Sequence, residues 1–327
     1  MKKTITLVSL LGLVAACSTQ KLEPRDLELQ RKAQTIFGSL PLNLVDVRKD
    51  KEKIELGKQL YFETKLSLNN RISCNSCHNL ETYGVDNEPT SPGHDGRRGD
   101  RNSPTVYNSA LNFTQFWDGR AKDLAEQAVG PILNPIEHGL ASEQEALSRI
   151  RTEDYLMKFK AAFPNEKESF TYKNVGKAIE AFEKTLLTQT RFDDYLAGDI
   201  NALTSQERMG LEKFMHVGCT SCHNGPGLGG SSYQKIGLMK PYPTKDEGLS
   251  KISGKRRDKF KFKVPILRNI EKTGPYFHDG TIVSLDKAIE LMAIHQIGTE
   301  LTKKDIADIK AFLSSLTAKQ LPQITKE

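Results

Sequence analysis

Cysteine is scarce in this 327-residue chain and tryptophan scarcer: there are five Cys and one Trp. Four of the cysteines fall in two identical frames and the fifth near the N-terminus, so none is left for a structural disulfide. Also missing is any long alternation of apolar and polar residues, which argues against a sandwich or barrel. No apolar run reaches the roughly twenty residues that a membrane-spanning helix needs. Charge of one sign does not dominate either. The formal net charge of +6 includes Lys2 and Lys3 and points to no nucleic-acid partner, and the basic stretch Lys251 to Lys263 reads as a solvated loop. The apolar share of 37% is low for a chain of this length, as expected where a bound group supplies part of the core.

What is present is helical. Val175, Ile179, Phe182 and Leu186 recur at helical spacing and make one apolar stripe. Thr204 with Glu207 is a capping-box start for a helix that runs into the second cysteine frame. Ser142 opens a helix predicted to carry Ala146, Ile150 and Leu156. Thr302 opens the last one, with Ile306, Ile309 and Leu313 on one face. Long Gly- and Pro-rich connectors separate them at Glu81 to Pro104, Gly225 to Gly230 and Met239 to Lys263, and loops of that length are usually functional. A boundary near Leu187 to Gly198 gives each half one cysteine frame. Beyond those frames the halves show little self-similarity.

The N-terminus reads as an export signal over residues 1–16, with Lys2 and Lys3 preceding an apolar run from Ile5 to Ala16. Val14-Ala15-Ala16-Cys17 then fits a lipoprotein cleavage site. Cys17 becomes the lipidated first residue of a polar tether over 17–27, which makes the protein anchored and not spanning.

The two frames are Cys74-Asn75-Ser76-Cys77-His78 and Cys219-Thr220-Ser221-Cys222-His223. Both read C-x-x-C-H, the attachment pattern of c-type haem: two thiols on one helical turn reach the two vinyl groups, and the next residue lies under the iron. A zinc ribbon would bring its pairs closer together and needs no histidine after each. A thioredoxin-type pair would sit in an alternating strand–helix context, which is missing. The propionates of two haems would also cancel the modest positive charge.

The sixth iron ligand decides between electron transfer and chemistry. For the first haem the nearest free candidate is His94, in a loop where Gly93, Gly96 and Gly99 permit movement, with His138 as its rival. For the second, Met239 and Met292 both stand as candidates, whereas Met209 and Met215 lie too close before the frame.

With these frames in place, the chain resembles the bacterial di-haem cytochrome c peroxidases, of the superfamily that includes the MauG enzymes. The resemblance runs from about Leu56 to Leu316 and rests on RISCNSCHN, GDRNSPTVYNSALNFTQFWDGRAKDLAEQAVGPILNPIEHG, GCTSCHNGPGLGG and KTGPYFHDGTIVSLDKAIELM. It implies an all-α fold of two cytochrome c-like helical domains, each with one covalently attached c-type haem: a peroxidatic domain over 28–190 and an electron-transfer domain over 191–327. It makes His78 the ligand of a low-potential haem, His94 its removable cap, Glu137 the distal acid–base, Gln127 a distal amide, and Trp117 the residue between the haems. It makes Met292 the sixth ligand of the high-potential haem on His223. Asn102, Thr273 and Pro275 match positions that hold a calcium ion at the domain interface. The MauG branch carries Tyr at the position of Met292.

The resemblance implies a homodimeric enzyme that reduces hydrogen peroxide to water with electrons from a small monohaem cytochrome c or cupredoxin, and the export signal with Cys17 predicts that it is periplasmic and membrane-anchored. Residue chemistry agrees, since O–O cleavage needs a proton moved from one peroxide oxygen to the other, and a buried carboxyl such as Glu137 can move it. Two rivals make different predictions. A MauG-like oxidase acting on a protein would lack the methionine ligand, and a plain two-haem electron carrier would turn over no peroxide.

Overall fold

The computed structural model describes residues 23–324, so the signal segment and Cys17 lie outside the described residues. The fold is mainly helical and is organised around two apolar cores. The first is built from α2 (Lys51–Tyr61), α4 (Leu124–Leu133), α5 (Glu143–Arg149), α6 (Glu153–Ala162) and α7 (Tyr172–Glu183). The single turn α3 (Cys74–Cys77) carries its cysteine frame. The second core uses α1 (Pro24–Phe37), α8 (Arg191–Leu196), α9 (Ser205–His216), α11 (Leu285–Met292) and α12 (Lys303–Ser314). A short turn, α10 (Ser250–Ser253), lies on its flank. None of the helices among the described residues is long and apolar enough to cross a membrane.

The two cores share a design that the sequence conceals. α2 crosses α7 so closely that a Cβ on Gly57 would lie 1.8 Å from the Ala178 carbonyl oxygen and 3.0 Å from Phe182 Cβ. α9 crosses α12 in the same way, with Gly210 placed 1.8 Å from the Asp308 oxygen and 3.0 Å from Phe312 Cβ. In both pairs only glycine permits the approach, and a phenylalanine one turn further along seals it. The halves therefore repeat a helix crossing with almost no repeated sequence.

Several local expectations meet the structure. Thr204 with Glu207 and Thr302 with Asp305 form reciprocal capping boxes that start α9 and α12. The helix opened by Ser142 is shorter than predicted. It ends at Arg149, and Thr152 caps a new helix by accepting the Tyr155 N–H, so Ile150 lies between two helices. A competing N-cap beats continued periodicity there.

α1 departs from a division at 190/191, because its Leu29, Ala33 and Phe37 are buried in the second core, where Phe37 meets Phe192 edge to face. It also begins at Pro24, inside the stretch expected as a tether. At the other end, Leu321 and Ile324 pack against the first core.

The basic stretch Lys251 to Lys263 is not a solvated loop throughout. Its end forms a strand, β2 (Lys261–Lys263), antiparallel to β1 (Tyr233–Lys235), with Tyr233 opposite Lys263. Lys263 is buried, only 6% exposed.

Candidate active site

Each cysteine frame ends in a histidine whose outer nitrogen is fixed. His78 Nδ1 donates to the Pro104 carbonyl at 2.9 Å and His223 Nδ1 to the Leu228 carbonyl at 3.1 Å. That tautomer leaves Nε2 with a free lone pair, as an iron ligand requires. Burial pushes both imidazoles down, His223 to about 4, so they are neutral at pH 7. The backbone repeats as well: the His78 N–H donates to the Cys74 carbonyl and the His223 N–H to the Cys219 carbonyl, both at 2.9 Å. All four thiols are free. Burial pushes Cys77 up to about 11 and Cys219 up to about 12, and raises Cys74 too, so these are not the thiolates that disulfide exchange needs.

Cys74, Cys77 and His78 line one cavity, and Cys219, Cys222 and His223 line another. The first has Ile72, Val106, Leu124 and Ile136 in its wall, and the second has Ile236, Val264, Leu267 and Ala288. Two thiols, one oriented neutral histidine and an apolar wall are what a covalently attached haem requires, so both cavities fit the group. Trp117 belongs to both walls. Its indole N–H donates to the Asn102 carbonyl at 2.9 Å, and its own carbonyl accepts the Lys263 N–H at 2.8 Å.

Glu137 and Gln127 stand in the wall of the first cavity with His78. Burial raises the Glu137 carboxyl above the usual range, against the pull of the Arg120 guanidinium and a hydrogen bond from Asn134 Nδ2 at 2.8 Å. Arg120 also lines this cavity and stacks over the Phe116 ring. His138, the alternative cap, is in the wall with Nδ1 bonded to the Leu66 carbonyl.

His94 is not in that wall. Its ring lies over Gly139, where a Cβ would come within 2.4 Å of it, and Nε2 faces the Pro135 carbonyl at 3.2 Å. Gly139 has φ +82, a left-handed conformation that glycine adopts freely. The His94 N–H donates to the Glu137 carbonyl at 2.8 Å, so the glycine-rich loop is tied to the segment that carries the acid.

In the second cavity Met292 shares the wall with His223. Met239 does not; it is exposed and packs against Gly298. Met292 ends α11, which continues as one π-turn over Ala293–Ile297, a feature common at functional sites. Asn102, Thr273 and Pro275 also lie in this second wall. The Asn102 amide donates to the Glu88 and Pro89 carbonyls, which leaves its side-chain oxygen available.

A family model described as di-haem cytochrome c peroxidase matches residues 51–201. The cytochrome c551 peroxidase of Nitrosomonas europaea is 48% identical over 271 residues, covering 81% of this chain and 80% of that protein. The chain belongs to the di-haem cytochrome c peroxidase family. A second family member, the cytochrome c551 peroxidase of Pseudomonas aeruginosa, is 41% identical over 301 residues, covering 89% of this chain and 87% of its own. Among solved structures, a MauG-like protein associated with microbial copper homeostasis superposes with a TM-score of 0.76 at 30% identity, covering 86% of this chain and 94% of that one. Membership of a di-haem family accounts for two cavities, each with its own attachment frame.

Three further wall residues belong to no attachment or ligand motif. Lys263 and His278 line the second cavity, and Glu183 lines the first. Glu183 is pushed up to about 8 by burial, and its Oε2 has no hydrogen-bond partner among the described residues. Each sits on an element that reads as ordinary core or surface, and no spacing rule singles it out.

Proposed function

We propose that this protein reduces hydrogen peroxide to water with electrons from a small monohaem cytochrome c or cupredoxin, in the periplasm. One observation carries the reading: a haem-attachment frame, a half-buried carboxyl and an amide share a cavity, and a single tryptophan joins it to a second such frame. When bound, the two haems supply electron storage and transfer. The residues do the rest. Glu137 takes a proton from one peroxide oxygen and returns it to the other, and burial raises its carboxyl above the ordinary glutamate range, the direction that favours such proton exchange. Gln127 offers an amide to orient the peroxide. Trp117 spans the boundary between the electron-receiving and peroxide-reducing sides. Met292, in the same wall as His223, would supply a thioether ligand to the second haem, in keeping with a peroxidase and not a MauG-type oxidase.

His94 is proposed as a movable cap that would hold the first haem in the resting enzyme and would be released once the second centre holds an electron. Its link to the Glu137 carbonyl couples such a movement to the acid–base group. Asn102, Thr273 and Pro275 are proposed to supply oxygens to a calcium ion at the interface, with water completing the six to eight ligands that calcium takes. Cys17 is proposed as a lipid anchor, and a homodimer as the working form. The division into 28–190 and 191–327 is proposed as a functional one, with α1 packed in the second core.

Stopped-flow peroxide reduction tests the reading, comparing fully oxidised with one-electron-reduced protein. Turnover is expected to be fast after reduction, and absence of turnover in both forms would favour the electron carrier. The His94→Gly variant is expected to react at the same rate in both forms. A variant that still needs prior reduction would remove the gate and keep the peroxidase.

A further inference from the structure

Two cations among the described residues are almost wholly buried, Lys263 and Arg268. Arg268 is neutralised by both carboxylate oxygens of Asp193. Lys263 has no carboxylate partner among the described residues. Its Nζ donates to a neutral acceptor, Asn112 Oδ1, at 3.1 Å, and burial alone, with no opposing charge, pushes the amine down to about 8. A lysine can usually carry its ammonium out to water along a flexible stem. This one is pinned at its backbone, because β2 pairs it with Tyr233 and its N–H is held by the Trp117 carbonyl. An ammonium has three N–H donors, and Asn112 takes one.

A buried charge without a partner is costly, which makes a missing counter-ion the natural explanation. The cavity that Lys263 lines is the one with Cys219, Cys222 and His223. The group that fits there carries two propionate carboxylates. We infer that Lys263 is the internal counter-ion of a propionate on the second haem, holding that carboxylate at the Trp117 boundary and raising the potential of the centre that receives electrons. The inference rests on the proposed haem occupancy of the second cavity. A cation beside the propionate offsets negative charge on the macrocycle and so favours the form with the extra electron. Asn112 extends the contact, since its amide reaches Gln115 Oε1 at 3.5 Å and Gln115 is in the first cavity's wall.

The test is spectroelectrochemical titration of the holoenzyme, reading each haem by its own absorbance, together with a count of haems per chain. Lys263→Met is expected to keep two haems and to lower the second-haem midpoint by about a tenfold change in redox equilibrium, about 59 mV for one electron. The same variant gains a pH dependence of that potential as the unpaired propionate titrates, while Lys263→Arg restores most of the wild-type value. Should Lys263→Met fail to accumulate, Lys263→Gln removes the same charge with a polar side chain. An unmoved second-haem potential, a shift in the first haem alone, or an arginine variant that behaves like the methionine one overturns the inference. A single haem in the wild-type protein overturns the di-haem reading as well, so the two failures are distinguishable.

Discussion

Replacing Glu137 with glutamine is expected to lower peroxide turnover by about 10²–10⁴-fold, the usual worth of a positioned acid–base group, with both haems still attached. Glutamine keeps the length of the side chain and an oxygen that can accept the Asn134 amide now bonded to the carboxylate at 2.8 Å. What it loses is the ability to take up and release a proton. Peroxide reduction needs a proton moved between two oxygens of one small molecule, which a carboxyl in the cavity wall can do and an amide cannot. Gln127 and Arg120 remain in the wall, so binding should suffer less than turnover. The pH profile adds a sign. Burial raises the Glu137 carboxyl, so the form that accepts a proton is depleted below a pKa higher than an ordinary glutamate's. The wild-type rate should therefore fall on the acid side earlier than for a solvated carboxylate, and the variant should lose that limb. Single-turnover kinetics against pH, with Glu153→Gln on an exposed helix end as the control, measures both. Equal rates for Glu137→Gln and wild type would remove Glu137 from the mechanism.

Much of this site was legible because its chemistry is local in sequence. Two cysteines and a histidine within five residues must meet the same macrocycle, so Cys74 to His78 and Cys219 to His223 announce themselves. Capping boxes are equally local, and Thr204 and Thr302 open their helices as predicted. Other features were hidden because they depend on partners far along the chain. Gly57 and Gly210 look like weak points in helices until Ala178 and Asp308 are seen pressed against them. α1 has three buried apolar residues at helical spacing, yet nothing in Leu29, Ala33 and Phe37 says which core they enter. Ile150 continued an apolar stripe, but the cap at Thr152 stopped it. Lys263 is hidden for the opposite reason: a run of charges suggests solvent, and only strand pairing with Tyr233 turns this one inward.

Changing Arg268 to methionine is expected to destabilise the protein by about 3–5 kcal/mol, the cost of breaking a buried ion pair by removing one partner. The guanidinium is 1% exposed and makes a two-pronged bond to Asp193, at 2.9 and 2.6 Å. Its Nε also donates to the Pro226 carbonyl at 2.7 Å, and Nη1 faces the Thr188 carbonyl. One side chain thus ties the start of α8 to the segment after His223, in which Leu228 orients that imidazole. Burial by itself would push the Asp193 carboxyl up, but hydrogen bonds and charge from Arg268, aided by Thr190, hold it below the usual range. Because the folded pKa is depressed, the pair's stabilisation is fully present above the ordinary aspartate pKa and is lost as pH falls through the folded value. In Arg268→Met the orphaned carboxylate reverses that sign. The deficit should then be largest near neutral pH and shrink as acid protonates Asp193. Adding Asp193→Asn to Arg268→Met should recover part of the loss, since no buried charge is left unpaired. Denaturant unfolding of wild type, Arg268→Met, Asp193→Asn and the double variant at neutral and acid pH reads the cycle. A cost under about 1 kcal/mol, the range of an exposed ion pair, would mean that the bridge does not hold the second haem's scaffold together.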